Sequence, residues 1–410
     1  MKINFLNKNE FNIFQVLILL FVFLFAMNFI NRYFYCVFIA FALFLLVNKK
    51  FTISFSLVAL LGLSFCIIFF SKDTTSAITS YIKPFIYPIC FLIGSSFFNN
   101  ESSKYHPTKR ENSINTIIVV IILGLLVHFL LNFAINIDND ERNTTDFWTN
   151  EVLSATGQTA IACLPIAISC AWLVSDTKLI NKIFAVITLC FVLAYNLVLA
   201  GRTIIIMTGI CLIASIIHLL FNGKKTKKTS IIIVVLVILA IVALLINFNA
   251  FGLQDEILNS NLYDRFYGEW AQDIDDDGRS KLKLVYLSRF FDNLWGGSVI
   301  KDDIGYAHDI YLDTYDYCGI FGLIFTIIYV IASIIRGFKV LKLKGVSFKF
   351  KQLVFCFYLV SNIEFFIEPI LYGMPWFLAS YCLVDGLLYS FIPYTQKNQK
   401  LLEGGFNENS

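Results

Sequence analysis

Two arginines lie where an apolar segment meets a polar one. Arg202 stands in the stretch 199–203 (LAGRT), at the start of an apolar run, and Arg279 follows the acidic run 273–278. Backbone N–H groups at a helix N-terminus suit an anion, and a guanidinium donates two parallel hydrogen bonds to a phosphate. Both are therefore candidate phosphate or diphosphate ligands. The alternatives are an interfacial arginine reaching water for Arg202 and a salt bridge to acidic neighbours for Arg279.

His308 is a candidate general base, because it lies in a long polar segment and an imidazole titrates near neutral pH. Asp309 and Tyr311 follow it. His308 precedes a predicted membrane helix, and Tyr311, Leu312 and Tyr315 follow at i+3, i+4 and i+7, so we expect them to share its face. The alternative is a surface histidine without a role.

Glu364 and Glu368 are four residues apart before Pro369, so we expect them on one face of a helix. Carboxylates within a membrane are costly and usually functional or paired. These two could orient an acceptor substrate or a catalytic arginine, or form a structural pair that shares a proton. Arg142 and the stretch 154–157 (SATG) could line the entrance to a site, although 154–157 could simply begin a helix.

No metal is expected. The run 273–278 imitates a calcium loop, but Leu284 stands at its twelfth position, where a bidentate glutamate is needed. The chain has 10 cysteines without a C-x-x-C pair, which indicates packing thiols.

The composition indicates a membrane protein. Of 410 residues, 58% are hydrophobic and 15% are charged, and the mean hydropathy is +0.72. Soluble domains are about 45–50% apolar and about 25% charged. A net charge of +3 is too small to suggest a nucleic-acid partner. The first apolar stretch, 11–30, is too long for a signal peptide and is interpreted as a membrane helix.

Helices of about 20 apolar residues span a bilayer, and helices satisfy their own backbone groups in lipid. The sequence predicts an all-α, polytopic fold with about twelve spans in a single membrane domain, 1–410. The predicted spans are 11–31, 33–47, 51–70, 81–98, 114–136, 159–175, 183–200, 203–221, 231–248, 310–335, 352–370 and 371–392.

Lys and Arg are concentrated in alternate loops, among them 224–228 and 336–351. By the positive-inside rule, both termini are cytoplasmic and the polar loops 137–158 and 249–309 lie on the outer face. The larger loop joins the ninth and tenth spans. Its stretch 281–294 (KLKLVYLSRFFDNL) predicts an amphipathic helix.

Two features resemble the bacterial O-antigen polymerase and O-antigen ligase family of membrane glycosyltransferases. One is Arg202 after a small residue at the outer start of a span. The other is 308–312 (HDIYL) with Gly319 and Gly322, where the family has His-Asn-x-x-Leu and two glycines at the same spacing. The resemblance covers roughly 154–388, with 278–279 and 295–297 similar to family loop landmarks. Asp309 replaces the usual Asn. The family's acid two positions before the first glycine is absent, because Tyr317 stands there and Asp316 lies one place earlier.

The resemblance implies a GT-C-like protein of the bacterial inner membrane that takes glycan from undecaprenyl diphosphate at the periplasmic face. Arg202 and Arg279 would bind the diphosphate, and His308 would be the base. Neither a nucleotide sugar nor a cofactor is expected. The expected partners are the undecaprenyl-diphosphate-linked oligosaccharide, membrane lipid and a chain-length regulator. The leading hypothesis is a repeat-unit polymerase; the alternatives are a ligase acting on lipid A–core and a flippase for lipid-linked oligosaccharide.

Overall fold

The computed structural model describes residues 2–5, 9–47, 51, 53–71, 78–97, 107–137, 143–222, 244–267 and 278–405. The described chain is mostly helical. Its helices are α1 (Ile13–Ala26), α2 (Tyr33–Val47), α3 (Phe55–Phe70), α4 (Ile78–Ile82), α5 (Ile86–Ser96), α6 (Pro107–Asn136), α7 (Ala155–Val174), α8 (Leu179–Leu199), α9 (Arg202–Asn222), α10 (Leu253–Leu258), α11 (Asn261–Tyr267), α12 (Gly278–Ser288), α13 (Val299–Ile304), α14 (Ile310–Lys342), α15 (Phe348–Ile367), α16 (Ile370–Gly373) and α17 (Pro375–Gly405). Short 3-10 turns cover Phe29–Asn31, Lys83–Phe85 and Ala250–Gly252.

The strands are short and antiparallel. β1 (Lys2–Phe5) pairs with β2 (Asn9–Asn12), and β3 (Thr144–Thr145) pairs with β4 (Val152–Leu153). The second hairpin lies in the smaller loop predicted on the outer face.

Seven of the described helices are long and apolar enough to cross a membrane. They are Arg110–Asn136, Ala155–Val174, Leu179–Leu199, Arg202–Asn222, Ile310–Lys342, Phe348–Ile367 and Pro375–Pro393. Three shorter apolar helices are Gln15–Ala26, Tyr33–Leu46 and Phe55–Phe70. An all-α, multi-pass membrane protein is therefore confirmed.

The predicted spans 11–31, 81–98, 310–335 and 371–392 are interrupted in the structure. The segment 81–98 is broken into α4, a 3-10 turn and α5, with Pro84 in that turn. Proline lacks the N–H that a helix interior needs. Most of 231–248 lies outside the described residues.

The chain forms two compact units. Unit 1 comprises Met1–Gly124, Arg279–Ser347 and Phe365–Ser410; unit 2 comprises Leu125–Gly278 and Phe348–Glu364. In unit 1, α5 packs along α17 and α3 packs along α14. A Cβ at Gly94 would clash with the carbonyl oxygen of Leu383, so glycine lets the backbones of α5 and α17 approach closely.

In unit 2, α7 packs against both α8 and α9, and its most apolar window is wholly buried. Ser154 caps α7 by accepting a hydrogen bond from the N–H of Gly157 at 3.4 Å. The stretch 154–157 therefore begins a helix, the simpler of its two sequence interpretations.

A buried ion pair joins α14 and α17 within unit 1. Arg336 Nε lies 3.3 Å from Asp385 Oδ1, and both residues are at most 4% exposed. The Tyr329 hydroxyl donates to Asp385 Oδ2 at 3.0 Å, and Arg336 Nη2 donates to Ser56 Oγ at 2.6 Å. Because each charge has polar partners, the pair can persist away from water.

Asp385→Ala should lower the free energy of unfolding by about 3–5 kcal/mol, because it leaves the guanidinium of Arg336 buried without its carboxylate. Denaturant unfolding of the purified protein in mixed micelles would measure this. Asp302→Ala, which removes an exposed carboxylate from the same unit, is the control. Equal stability of the two variants would contradict the structural role of Asp385.

Candidate functional site

Helix α12 places two basic side chains on one face. Arg279 is its second residue and Lys283 follows four positions later, which is just over one helical turn. The predicted amphipathic helix is confirmed at its start, but 289–294 are turns rather than helix. The acidic residues 273–277 lie outside the described residues.

Both basic side chains reach the end of α15. Arg279 Nη1 donates to the carbonyl oxygen of Ile367 at 2.9 Å, and Lys283 Nζ donates to that of Phe366 at 2.5 Å. The last carbonyls of a helix have no partner within it and carry the negative end of the helix dipole. These two contacts therefore fix α12 on the C-terminus of α15.

Two basic side chains, Arg279 and His308, lie beside the carboxylate of Glu368. Arg279 Nη1 and Nη2 each lie 3.5 Å from Glu368 Oε1, and His308 Nδ1 lies 3.8 Å from Glu368 Oε2. The Glu368 side chain is only 2% exposed, whereas the side chains of Arg279 and His308 are 40% and 22% exposed. A buried carboxylate thus lies behind a guanidinium and an imidazole that both reach the surface.

The predicted placement of both glutamates on one helix face is wrong. α15 ends at Ile367, so Glu368 lies in the bend before Pro369. The residue before a proline disfavours the helical region, which agrees with this end. Glu364 is fully buried within α15 and belongs to unit 2.

His308 lies before α14, as the sequence predicts. Its backbone is left-handed, with φ of 55°, and Asp309 is the N-cap. Its predicted shared face with Tyr311 is therefore wrong, because helical spacing begins only after the cap. The Tyr311 ring instead lies 5.1 Å from that of Phe366.

Asp313 holds the unusual backbone at His308. Its Oδ1 accepts from the N–H of Ala307 at 2.9 Å, and its Oδ2 accepts from that of Asp309 at 3.2 Å. A left-handed residue other than glycine is rarely populated and persists when neighbours constrain it. Hydrogen bonds on both sides of His308 supply that constraint.

Asp309 has two roles. Its Oδ1 accepts from the N–H groups of Tyr311 and Leu312 at 2.9 and 3.3 Å, and its Oδ2 lies 3.3 Å from Lys283 Nζ. Asn and Asp are comparable N-caps, so the cap itself does not require the charge. The charge allows the ion pair that ties α12 to the start of α14.

Helix α14 is broken at Cys318 and Gly319, and a turn of the preceding loop fills the break. Gly319 has φ of 75° and ψ of −173°. The N–H of Ile320 donates to Leu294 O at 3.0 Å, and the N–H of Gly297 donates to Tyr317 O at 3.1 Å. Backbone groups released by the break are thus paired with the turn 294–297, which anchors the loop to the helix.

Asp316 adds further hydrogen bonds between α14 and the loop that precedes it. Its two carboxylate oxygens accept from the N–H groups of Ile300 and Lys301 at 2.9 and 3.0 Å, which caps α13 from another segment. Tyr286 packs with Ile300 and other apolar residues in a small core. Burial raises the pKa of Tyr286, so its hydroxyl stays protonated and donates to Gly305 O at 2.8 Å.

Arg202 belongs to unit 2, where it is the first residue of α9. Its Nη2 donates to the carbonyl oxygen of Arg265 at 2.6 Å, and its guanidinium lies 5.7 Å from the centre of the Phe266 ring. Arg265 Nη1 in turn donates to Ala200 O at 2.8 Å. The two arginines therefore connect α9 to α11 through backbone carbonyls. Arg142 lies outside the described residues.

The structure brings four of the candidate residues together: Arg279, His308, Asp309 and Glu368. The sequence analysis missed Lys283 and Asp313. Lys283 could have been found from its four-residue spacing from Arg279 on a predicted helix. Asp313 carried no signal, because its role is to bind backbone N–H groups that only the folded turn presents.

Among the described residues, no group of three or more His, Cys, Asp or Glu side chains is arranged to hold a metal ion. The arrangement instead offers an imidazole backed by a carboxylate, with two partly exposed cations on the neighbouring helix. Such a site can bind an anion and accept a proton.

Together, the helices and this cluster define a multi-pass membrane protein with a charged cluster where a loop meets the ends of its helices. No protein-family model matches the chain, and no curated protein sequence matches it at a significant level.

Gly319→Ala should destabilise the protein by about 3 kcal/mol or more. The φ/ψ region of Gly319 disfavours other residues, and the new Cβ would lie 2.7 Å from the Leu294 carbonyl oxygen. Gly345→Ala is the matched control, because Gly345 also has a positive φ but has open space around it; its cost should be about 1 kcal/mol. Unfolding free energies would measure both, and equal costs would argue against the clash.

Proposed function

We propose that the chain is a membrane glycosyltransferase that polymerises lipid-linked repeat units at the periplasmic face of a bacterial inner membrane. The observation that carries this proposal is the pairing of His308 and Arg279 on one buried carboxylate, Glu368. The order of motifs along the sequence, similar to that of O-antigen polymerases and ligases, supports it. Both termini are then cytoplasmic, and the loop of 249–309 faces the periplasm.

In the proposed reaction, an acceptor hydroxyl attacks the anomeric carbon of a glycan linked to undecaprenyl diphosphate. The new glycosidic C–O bond forms as the bond to the diphosphate oxygen breaks. The acceptor proton passes to His308, and undecaprenyl diphosphate leaves with the electron pair. No oxidation or reduction takes place.

The roles of the residues follow from their contacts. His308 Nδ1 faces Glu368, which leaves Nε2 to take the proton. Glu368 would stabilise the imidazolium as it forms. Arg279 and Lys283 would offset the negative charge on the leaving diphosphate, since partly exposed cations beside it lower the barrier. Arg202 stays a predicted diphosphate ligand on the basis of its motif alone.

A deletion strain complemented with His308→Ala should make no long-chain polysaccharide, because the acceptor proton then has no base. Arg279→Gln should reduce chain length at equal protein level, because it removes a donor to the diphosphate. Arg289→Gln is the matched control: it breaks a 2.9 Å ion pair with Asp303 outside the cluster and should leave the polysaccharide normal. Normal polymer with His308→Ala would remove the histidine from the mechanism.

The deletion phenotype distinguishes the polymerase from its alternatives. Loss of a polymerase leaves single repeat units on the lipid core, whereas loss of a ligase leaves polymer on its lipid carrier. Purified protein in liposomes with lipid-linked repeat units should form polymer without other proteins. Movement of these lipids between leaflets without polymer would indicate a flippase.

Cysteine labelling should place residue 302 on the periplasmic side of the membrane and residue 344 on the cytoplasmic side, because α14 lies between them in the chain. Both positions are exposed, and Cys190 would first be changed to Ser because it is the exposed thiol of the described chain. An impermeant maleimide added to intact spheroplasts should label Asp302→Cys, and should label Lys344→Cys only after lysis. The opposite pattern would overturn the periplasmic location.

A further inference from the structure

Unit 1 contains a cavity of about 250 Å³ that is lined by none of the residues of the charged cluster. It lies between the start of α2, the 3-10 turn at Lys83–Phe85, α5 and α16. Six of its lining residues are Tyr33, Lys83, Tyr87, Tyr317, Leu371 and Tyr372. Ligand sites for drug-sized molecules usually span about 300–1,000 Å³, so this cavity is suited to one small ring.

Two tyrosine hydroxyls in the cavity have no hydrogen bond to any described residue. Tyr87 is only 4% exposed, yet it lines the cavity without a polar partner there. Tyr33 has only ring contacts, including one with Trp376 at 6.3 Å. A tyrosine hydroxyl can both donate and accept a hydrogen bond, so two such groups lining the cavity are suited to a ligand that carries hydroxyl groups.

Lys83 supplies the only charge among the described lining residues. Its ammonium lies 5.1 Å from the centre of the Phe34 ring, and no described carboxylate pairs with it. A Lys ammonium has three donors and no acceptor, so it suits a carboxylate or phosphate group. The ligand should therefore combine hydroxyl groups with a negative charge.

Two further lining residues, Tyr317 and Tyr372, are aromatic and held by contacts of their own. The Tyr372 ring lies 4.6 Å from that of Tyr317, and its hydroxyl is 2.7 Å from Ser298 Oγ. Lys301 Nζ lies 4.6 Å from the centre of the same Tyr372 ring. Rings held in this way offer a rigid apolar face, which can pack against the C–H face of a sugar.

We propose that this cavity is a second binding site that takes a single pyranose ring bearing an acidic group. Tyr33 and Tyr87 bind its hydroxyls, Lys83 binds its acidic group, and Tyr372 packs against the ring. This binding does not depend on the proposed transfer reaction.

Saturation-transfer NMR on the purified full-length protein tests the proposal with three probes: glucuronate, glucose and inorganic phosphate. Glucuronate should bind more tightly than glucose, and phosphate should not displace it. Tyr87→Phe should weaken glucuronate binding about fivefold through one lost hydrogen bond. Lys83→Gln should weaken it about tenfold through a lost charged contact.

Tyr81→Phe is the matched control, because Tyr81 precedes the same turn but is 43% exposed and does not line the cavity. It should leave binding unchanged, and the melting temperatures of all three variants should match that of the wild type. The proposal is overturned if glucuronate does not bind, or if Tyr87→Phe and Lys83→Gln leave its affinity unchanged. The proposal is also overturned if phosphate displaces glucuronate, or if glucose binds as tightly as glucuronate. Either result would mean that the site does not recognise both the sugar ring and the acidic group.

Discussion

The charged cluster depends on the break in α14 at Cys318 and Gly319. A membrane helix that stops pairing its own backbone groups must pair them elsewhere, because lipid offers no hydrogen bonds. Here the turn 294–297 supplies the partners, with N···O distances of 3.0 and 3.1 Å. The turn 294–297 is therefore bonded to α14, and the segment that carries His308 lies between this turn and the start of the same helix.

Ion pairs add to these backbone hydrogen bonds in holding the cluster together. Taking a carboxylate out of water is costly unless charges and donors surround it. Glu368 is compensated by Arg279, and Asp309 by Lys283 and two backbone N–H groups. The two ion pairs connect α12 to two different segments of unit 1. Consequently the same contacts that hold α12 in place also present its basic face beside the imidazole.

Much of this arrangement is readable from the sequence. The apolar lengths predict the long helices, the spacing of 281–294 predicts α12 from near its true start, and the residue types at 279, 308 and 309 identify the cluster. The break in α14 is different, because a span predicted from apolar length alone continues through it, whereas the turn 294–297 supplies the backbone partners that it needs. Gly319 adopts a positive φ against that turn. The left-handed backbone of His308 likewise depends on Asp313, a residue that helical spacing alone would place on an ordinary buried face.

In the proposed reaction, Glu368 links donor binding to proton transfer. Its carboxylate faces Arg279 with one oxygen and His308 with the other, at 3.5 and 3.8 Å. A diphosphate that binds Arg279 and an acceptor hydroxyl that reaches His308 would therefore both lie beside this one carboxylate. Because the carboxylate is almost wholly buried, its attraction to the Arg279 guanidinium is screened less by water than an attraction between surface charges would be.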